Sequence, residues 1–124
     1  LGIGDNLYYG YESDLLKKVI LNLNNFNLYQ KEDNIELIQG LYEDTLSINY
    51  PVAFAHIDCD WYSSVMTCLE NIEPNLVLNG IMIIDDYYFW NGCKDAVDEY
   101  FKGFGDNDFL FIKKHGKLII KKIK

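Results

Sequence analysis

The sequence contains no arginine and has no hydrophobic run long enough to cross a membrane. Arginine is the side chain that pairs best with phosphates and base edges, and the net charge is −8, so a nucleic-acid partner is not expected. A membrane-spanning helix requires roughly 20 consecutive apolar residues, and no such stretch occurs. We therefore expect no membrane partner either.

Cysteine is also scarce. Cys59, Cys68 and Cys93 are the three cysteines of the chain, and no two of them have the C-x-x-C spacing. An odd number without that spacing indicates neither a disulfide framework nor a zinc site. The pattern predicts reduced thiols and a cytoplasmic location.

The length of 124 residues, of which 49% are hydrophobic, predicts one domain over residues 1–124 with a core of its own. The sequence begins with Leu1 rather than methionine. We therefore expect it to be a piece of a longer protein.

Apolar periodicity predicts an α/β order of elements. Helices are expected at residues 13–25, with Ser13 as the N-cap, at about 61–72, and at roughly 93–102. Strands are expected at residues 35–39, 52–57, 81–84, 109–113 and 118–123. Gly80 is expected to open the third strand and Gly116 to sit in a hairpin turn between the last two. This order predicts a mostly parallel sheet that ends in a hairpin.

Two of the predicted strands run directly into paired aspartates. Asp58 and Asp60 follow the strand at 52–57 in "HIDCDW", and Asp85 and Asp86 follow the next one in "MIIDDY". Consecutive parallel strands end at one edge of a sheet, where open α/β folds bind ligands, so the four carboxylates should converge there. Like charges held together need a compensating cation, and Mg²⁺ or Ca²⁺ prefers oxygen ligands. Alternatively, Asp60 and Asp86 cap the following helices and the other two are solvated.

An acidic edge of this kind is compatible with three classes of protein. A phosphoacceptor receiver domain has its aspartate pair before the lone aspartate, whereas the order here is reversed. A sugar-nucleotide glycosyltransferase uses a strand followed by D-x-D, which "DCD" fits, but does not require the second pair. A metal-assisted methyltransferase requires both.

The combined motifs resemble the macrocin O-methyltransferase family of S-adenosylmethionine-dependent sugar O-methyltransferases. The segment "QGLYEDTL" at 39–46 is similar to the family's G-[WF]-F-x-D-T-L. The segment from 57 to 76 resembles D-G-D-x-Y-x-S-T followed by a helix, and "GIMIIDDYYFWNGCKDAVD" resembles G-G-x-x-I-x-D-D-Y followed by W-x-G-C-x-x-A-V-D. Four positions depart from these motifs, with Cys59 and Asn79 in place of glycine, Ser63 in place of an acidic residue, and Val65 in place of threonine.

The resemblance implies a Rossmann-like class I methyltransferase fold with sheet order 3-2-1-4-5-7-6. It covers only the second half of the family, so the first two strands and their glycine-rich cofactor loop are lacking. The strand at 35–39 should then have no neighbour, and the strand at 52–57 should form an open edge. We expect such a fragment to bind the cofactor poorly.

The resemblance also implies roles for individual residues. Methyl transfer from S-adenosylmethionine to a small-molecule or glycan hydroxyl would be assisted by Mg²⁺ or another divalent cation. The expected metal ligands are Asp58, Asp85 and Asp86, whereas Asp60 is either a fourth ligand or the base. Asp58 and Asp60 are thus the expected catalytic residues, and Asp58 is also placed next to the cofactor.

Three further residues are implied at the cofactor. Gly40 and Tyr42 would border its adenine side, and Tyr62 would line the cofactor or the substrate; a tight turn and packed aromatic rings are the alternatives. His56 is expected to be a hydrogen-bonded strand histidine. Tyr8, Tyr9 and Tyr11 form either a substrate lid or an ordinary loop.

Two alternatives to a catalytic role remain at this point. The chain could be a non-catalytic metal-binding remnant, or a fragment of a D-x-D glycosyltransferase. The open strand edge makes a homo-oligomer plausible.

Overall fold

A computed structural model describes residues 14–124 of the chain. The chain divides into two compact units, Leu1–Gly40 and Leu41–Lys124, and each is described by itself. The expectation of one domain over 1–124 stays a prediction. Ser13 and the tyrosine-rich segment with Tyr8, Tyr9 and Tyr11 lie outside the described residues.

The described part of the first unit contains one helix, α1 (Leu15–Asn25), whose N-cap is Asp14 rather than the predicted Ser13. The strand predicted at residues 35–39 is wrong, because these residues have no regular secondary structure. A strand needs backbone hydrogen-bond partners on a neighbouring strand. No strand of the described sheet pairs with this segment, and Ile38 is 61% exposed.

The second unit contains the remaining helices and all described strands. They are α2 (Tyr42–Thr45), β1 (Val52–Ile57), α3 (Tyr62–Ile72), β2 (Leu76–Ile84), α4 (Asn91–Phe101), β3 (Phe109–Lys114) and β4 (Lys117–Lys122). A 3₁₀ turn, Glu73–Asn75, contains Pro74 and ends α3. Most of the predicted bounds are confirmed to within two residues. Among residues 14–124, no helix has the length and apolarity that crossing a membrane requires.

The four strands form one sheet in the order β1-β2-β4-β3. The pair β1–β2 is parallel, whereas β2–β4 and β3–β4 are antiparallel. This is the 4-5-7-6 portion of the expected class I methyltransferase order, with the antiparallel hairpin at its end. Only one of the three strand pairs is parallel, so the expectation of a mostly parallel sheet does not hold for the described residues. β1 lies at the edge of the sheet, and Phe54 on this strand is 60% exposed.

β2 begins five residues earlier than predicted, and Gly80 lies inside it rather than at its start. The pairing with β1 is interrupted, since Val52 pairs with Leu76 and Phe54 with Ile81. The extra residues on β2 include Asn79, whose φ of 65° lies in the left-handed region that asparagine tolerates. The bulge was not predicted because Gly80 was interpreted as the residue that opens the strand.

The core of this unit lies between one face of the sheet and the helices α3 and α4. Its fully buried side chains are contributed by the helices and by the central strands, namely Val65, Leu69, Cys93, Ala96, Val97, Met82, Ile84 and Ile120. From Gly80 to Ile84 on β2 the buried residues alternate with half-buried ones, as a strand with one covered face requires. The helices thereby fix the sheet from which the aspartates project.

The hairpin between β3 and β4 has a two-residue loop, because Lys114 pairs with Lys117. The loop residues His115 and Gly116 both have positive φ, 50° and 79°. Such turns match the twist of the flanking strands and favour glycine at the second position. The predicted role of Gly116 is confirmed.

Candidate active site

The register of β1 and β2 brings the two acidic motifs together. Ile57 and Ile84 are partners in the parallel pair, and each is the last residue of its strand. The amide of Asp85 continues the ladder by donating to the carbonyl of Ile57 at 3.0 Å. Asp58 and Asp85 therefore leave the sheet side by side.

Three of the four predicted carboxylates form a compact cluster. Asp58, Asp85 and Asp86 each offer one oxygen, and these oxygens lie within 4.8 Å of one another. Asp58 is exposed, whereas Asp85 and Asp86 are half-buried. The expected convergence at the strand ends is thus observed.

Two cationic or hydrogen-bonding side chains contact Asp85. Lys117 forms an ion pair with it, and Nε2 of His56 lies 2.9 Å from its Oδ1. Lys117 and then His56 lower the pKa of Asp85 below its usual value. The expectation that His56 is a hydrogen-bonded strand histidine agrees with this contact. Asp85 therefore stays ionised over the whole neutral range.

Asp86 has the opposite environment. Burial, then a hydrogen bond with Asp60, and then the charges of Asp60, Asp58 and Asp85 raise its pKa to about 6. A carboxyl surrounded by like charges holds a proton more tightly because ionisation adds to the repulsion. The excess of negative charge in the cluster is thus not fully compensated by Lys117.

The helices that follow the two motifs do not use the aspartates as caps. The N-cap of α3 is Trp61 and that of α4 is Trp90, and neither helix has a side-chain capping hydrogen bond. The capping alternative for Asp60 and Asp86 is therefore wrong. The two carboxylates belong to the acidic cluster and its immediate surroundings instead.

The donor set of the cluster fits a hard divalent cation. Carboxylate oxygens are the ligands that Mg²⁺ and Ca²⁺ prefer, and Mg²⁺ usually takes one or two carboxylates together with water or substrate oxygens. Neither cysteine sulfur nor histidine nitrogen is part of the three-residue group. The arrangement thus favours an oxygen-binding cation over zinc.

The predicted cofactor residues occupy different parts of the chain. Gly40 lies in a bend of the first unit with a φ of 152°. Tyr42 begins α2 and Tyr62 begins α3, and both are in the second unit. The hydroxyl of Tyr62 donates to Oε2 of Glu99 on α4 at 2.9 Å. The role of these three residues at a cofactor stays a prediction.

Sequence reasoning missed two residues beside the cluster. In the sequence, Lys117 is one of several lysines in a lysine-rich terminal stretch. The pairing of Leu118 with Ile84 is what places it next to Asp85. Gly92 allows the start of α4 to approach the D-x-D segment, because a Cβ there would lie 3.2 Å from the amide nitrogen of Tyr62 and 3.4 Å from the carbonyl of Asp60. No local pattern indicates the pairing of β4 with β2 that places Lys117, whereas Gly92 is the glycine of the W-x-G-C motif and could have been noted.

A cleft of about 480 Å³ lies between α4 and the hairpin, and its lining begins with the residues that follow Asp86 in the sequence. Its lining includes Tyr87, Tyr88 and Phe111, with Lys102 and Lys113 among the polar groups. Tyr87 donates to Asp98 at 2.6 Å, and burial followed by this bond raises the pKa of Tyr87 to about 12. The cleft therefore combines aromatic faces with protonated hydroxyl and ammonium groups, a mixture typical of small-molecule sites.

Comparison with known proteins identifies the family of the chain. Residues 14–106 match the family described as macrocin-O-methyltransferase (TylF), which is most of the sequence and includes both acidic motifs. The chain belongs to the macrocin O-methyltransferase family. The membership removes the D-x-D glycosyltransferase alternative.

Two curated relatives of the family are similar to the chain. The demethyldecarbamoylnovobiocin O-methyltransferase of Streptomyces niveus is 34% identical over 87 residues, which are 68% of the chain and 32% of that protein. The 8-demethyl-8-(2,3-dimethoxy-alpha-L-rhamnosyl)-tetracenomycin-C 4'-O-methyltransferase of Streptomyces olivaceus is 34% identical over 95 residues, 75% of the chain and 35% of that protein. The chain thus spans about a third of the length of these relatives.

The structure is also similar to that of the O-methyltransferase NovP. The two superpose with a TM-score of 0.77 at 29% sequence identity, and the match covers 87% of the chain and 45% of NovP. The fold of this macrocin O-methyltransferase family member is accordingly part of a class I methyltransferase fold.

Proposed function

We propose that the chain supplies the metal and acceptor side of an S-adenosylmethionine-dependent O-methyltransferase whose acceptor is a hydroxyl of a sugar or another hydroxylated metabolite. Family membership supports the reaction class. The observation that carries the proposal is the cluster of Asp58, Asp85 and Asp86 at the ends of two adjacent strands. A neutral hydroxyl is a poor nucleophile, so an enzyme of this class needs a means of activating it.

The carboxylates of Asp58, Asp85 and Asp86 would hold a divalent cation, for which Mg²⁺ is the first choice. When bound, such a cation supplies positive charge that lowers the pKa of a coordinated acceptor hydroxyl. Asp85 is ready for this role because its pKa is already lowered by Lys117 and His56. His56 also fixes the orientation of the Asp85 carboxylate, as partners of ligating groups commonly do.

Asp60 is the proposed base that accepts the acceptor's proton. It lies outside the three-residue group but shares a hydrogen bond with Asp86, and so stands next to the proposed ligands without being one of them. A base must reach the proton within hydrogen-bond distance while the oxygen faces the methyl donor. In this proposal, the D-x-D segment supplies both Asp58 as ligand and Asp60 as base.

The proposed cofactor contacts of the second unit are Tyr42, Asp58 and Tyr62, and Gly40 is a separate candidate in the first unit. For Tyr62 the aromatic ring is the part available to the cofactor, since its hydroxyl is bonded to Glu99. The sequence lacks the glycine-rich loop that binds the cofactor in this fold class. We therefore propose that the chain alone binds S-adenosylmethionine weakly and is inactive by itself.

The cleft after the aspartate pair is the proposed acceptor site. Aromatic faces such as those of Tyr87 and Tyr88 pack well against sugar rings, and the Tyr87 hydroxyl stays protonated at neutral pH because its pKa is about 12. The names of the two curated relatives describe O-methylation of demethyldecarbamoylnovobiocin and of a rhamnosyl-tetracenomycin. These substrates support a small-molecule or glycan hydroxyl as the acceptor here.

The location and the partners of the protein form a further part of the proposal. A cytoplasmic location is supported by the three free thiols. The acidic net charge supports a small molecule rather than nucleic acid or a membrane surface as partner. β1 offers an open edge through which a second chain could pair.

Calorimetric titration tests the proposal. Mg²⁺ is titrated into the chain and into the double variant Asp85→Asn/Asp86→Asn, and S-adenosylmethionine follows. We expect Mg²⁺ binding to the unmodified chain, its loss in the double variant, and little binding of S-adenosylmethionine. The matched control is Asp95→Asn/Asp106→Asn, which removes the same charge from exposed positions outside the cluster and should bind like the unmodified chain.

The two remaining outcomes are distinct. Equal loss of binding in both double variants would mean that general charge, rather than the cluster, attracts the ion, and the metal proposal would be abandoned. Mg²⁺ binding that persists after the chain is joined to a complementary cofactor-binding half, without any methyl transfer, would favour the non-catalytic metal-binding alternative.

A further inference from the structure

Two of the three cysteines lie against each other at the acidic cluster. The Sγ atoms of Cys59 and Cys68 are 4.0 Å apart. Cys59 is the residue between Asp58 and Asp60, and Cys68 lies on α3 and is 5% exposed. Neither thiol has a part in the methyl transfer proposed above, and Cys59 stands where the family motif has glycine.

We propose that Cys59 and Cys68 form an oxidative modification site, at which a peroxide-class oxidant converts the two thiols into an intramolecular disulfide. A disulfide has an S–S length of about 2.05 Å, so the sulfur atoms must approach by roughly 2 Å from van der Waals contact. Cys59 can supply that movement because residues 58–61 lie in the irregular segment between β1 and α3. Cys68 stays in place as part of the packed helix.

The chemistry balances with hydrogen peroxide as the oxidant. Cys59 is the more exposed of the two thiols and meets the oxidant first. Its sulfur attacks one peroxide oxygen as the thiolate, the O–O bond breaks, and a sulfenic acid and one water form once a proton is taken up. The sulfur of Cys68 then attacks the Cys59 sulfur, the S–O bond breaks, and the second water leaves. The two thiols lose two electrons and two protons, and the peroxide is reduced to two waters.

The disulfide would act on the acidic cluster through the D-x-D segment. Drawing Cys59 toward α3 moves the backbone between Asp58 and Asp60, and the oxygens of Asp58, Asp85 and Asp86 lie within only 4.8 Å of one another. A shift of this size at one ligand disrupts the geometry that a Mg²⁺ site demands. This consequence, unlike the disulfide itself, rests on the metal site of the proposed function. Oxidation should therefore weaken cation binding reversibly.

The first measurement is mass spectrometry of the full chain treated with hydrogen peroxide in the presence of EDTA and then alkylated in denaturant with iodoacetamide. We expect a loss of two hydrogens, one alkylated cysteine at Cys93, and a proteolytic fragment in which Cys59 and Cys68 are linked. The variants Cys59→Gly and Cys68→Ser should not form the crosslink. Cys93→Ser should form it as the unmodified chain does, because Cys93 is a buried thiol outside the pair.

The second measurement is the Mg²⁺ titration of the reduced and oxidised forms. We expect at least a tenfold lower affinity after oxidation, restored by dithiothreitol, and no change on peroxide treatment of Cys59→Gly. Thiols that remain free, a sulfinic acid without a crosslink, or a bond to Cys93 would overturn the disulfide. An unchanged affinity in the crosslinked chain would overturn its effect on the cluster. Absence of Mg²⁺ binding in the reduced chain would instead refute the proposed metal site, while the mass measurement would still decide the disulfide.

Discussion

Ile57 and Ile84 are paired as the last residues of two adjacent parallel strands, and this pairing places Asp58 beside Asp85. On the other side of β2, the pairing of Ile84 with Leu118 places Lys117 beside the same aspartate. Charged residues thus meet where β1 and β2 end and where β4 begins. The electrostatics of the cluster follow from strand register, which packing of the core holds in place.

The first prediction concerns the ammonium group of Lys117. Replacement Lys117→Met removes an ammonium group that repels an incoming cation. The same group forms an ion pair with Asp85 and so competes with the cation for this carboxylate. We expect the affinity for Mg²⁺ to rise about threefold to tenfold at low ionic strength, measured by calorimetry. Lys124→Met makes the same charge change two residues beyond the end of β4 and should leave the affinity unchanged. A lower affinity in Lys117→Met would mean that this lysine chiefly orients the carboxylate.

The second prediction follows from the raised pKa of Asp86, which is about 6 in the folded chain and about 3.9 in an unfolded one. A carboxyl with a raised folded pKa stabilises the fold below its unfolded pKa, and this contribution is lost as the pH rises through the folded pKa. In EDTA, the melting temperature of the unmodified chain should fall between pH 4.5 and 7 relative to that of Asp86→Asn. Allowing for solvent screening, we expect a relative change of about 3 °C.

The matching control for the pH experiment is Asp106→Asn, at an exposed loop position. Its melting temperature should follow that of the unmodified chain at every pH. Parallel curves for the unmodified chain and Asp86→Asn would show that the proton is held elsewhere in the cluster.

Much of this site could be predicted because strand ends are marked by sequence. The apolar run before Asp58 and the one before Asp85 each indicated a buried strand, and parallel strands end at a common edge. The contact of Lys117 with Asp85 depends on pairing between segments 32 positions apart, which local patterns do not encode. The strand predicted at 35–39 failed for the related reason that a β-prone segment forms a strand only when a partner strand is available.

The third prediction concerns the bulge of β2. A Cβ added at Gly80 would lie 2.8 Å from the carbonyl oxygen of Val77 and 2.9 Å from the side chain of Leu76. Because the carbonyl belongs to the backbone, Gly80→Ala should force the bulge to shift and lower the free energy of unfolding by about 2 kcal/mol. Urea unfolding measures this change. Gly103→Ala is the control, since no atom lies within 4 Å of a Cβ there, and it should change stability by less than about 0.5 kcal/mol. Equal urea midpoints for both variants would mean that the bulge accommodates the added methyl group without loss of stability.

The fourth prediction concerns the buried ion pair that joins the end of α3 to β4. Glu73 is 6% exposed, and its carboxylate accepts from Nζ of Lys122 at 3.0 Å and from the Tyr100 hydroxyl at 3.2 Å. Lys122→Met would leave this carboxylate buried with a single neutral partner, so we expect a loss of about 3 kcal/mol in urea unfolding. Lys124→Met removes an exposed lysine 3.9 Å from Asp108 and should cost less than about 1 kcal/mol. If both variants unfold at the same urea concentration, the ion pair between Glu73 and Lys122 does not hold α3 to the sheet.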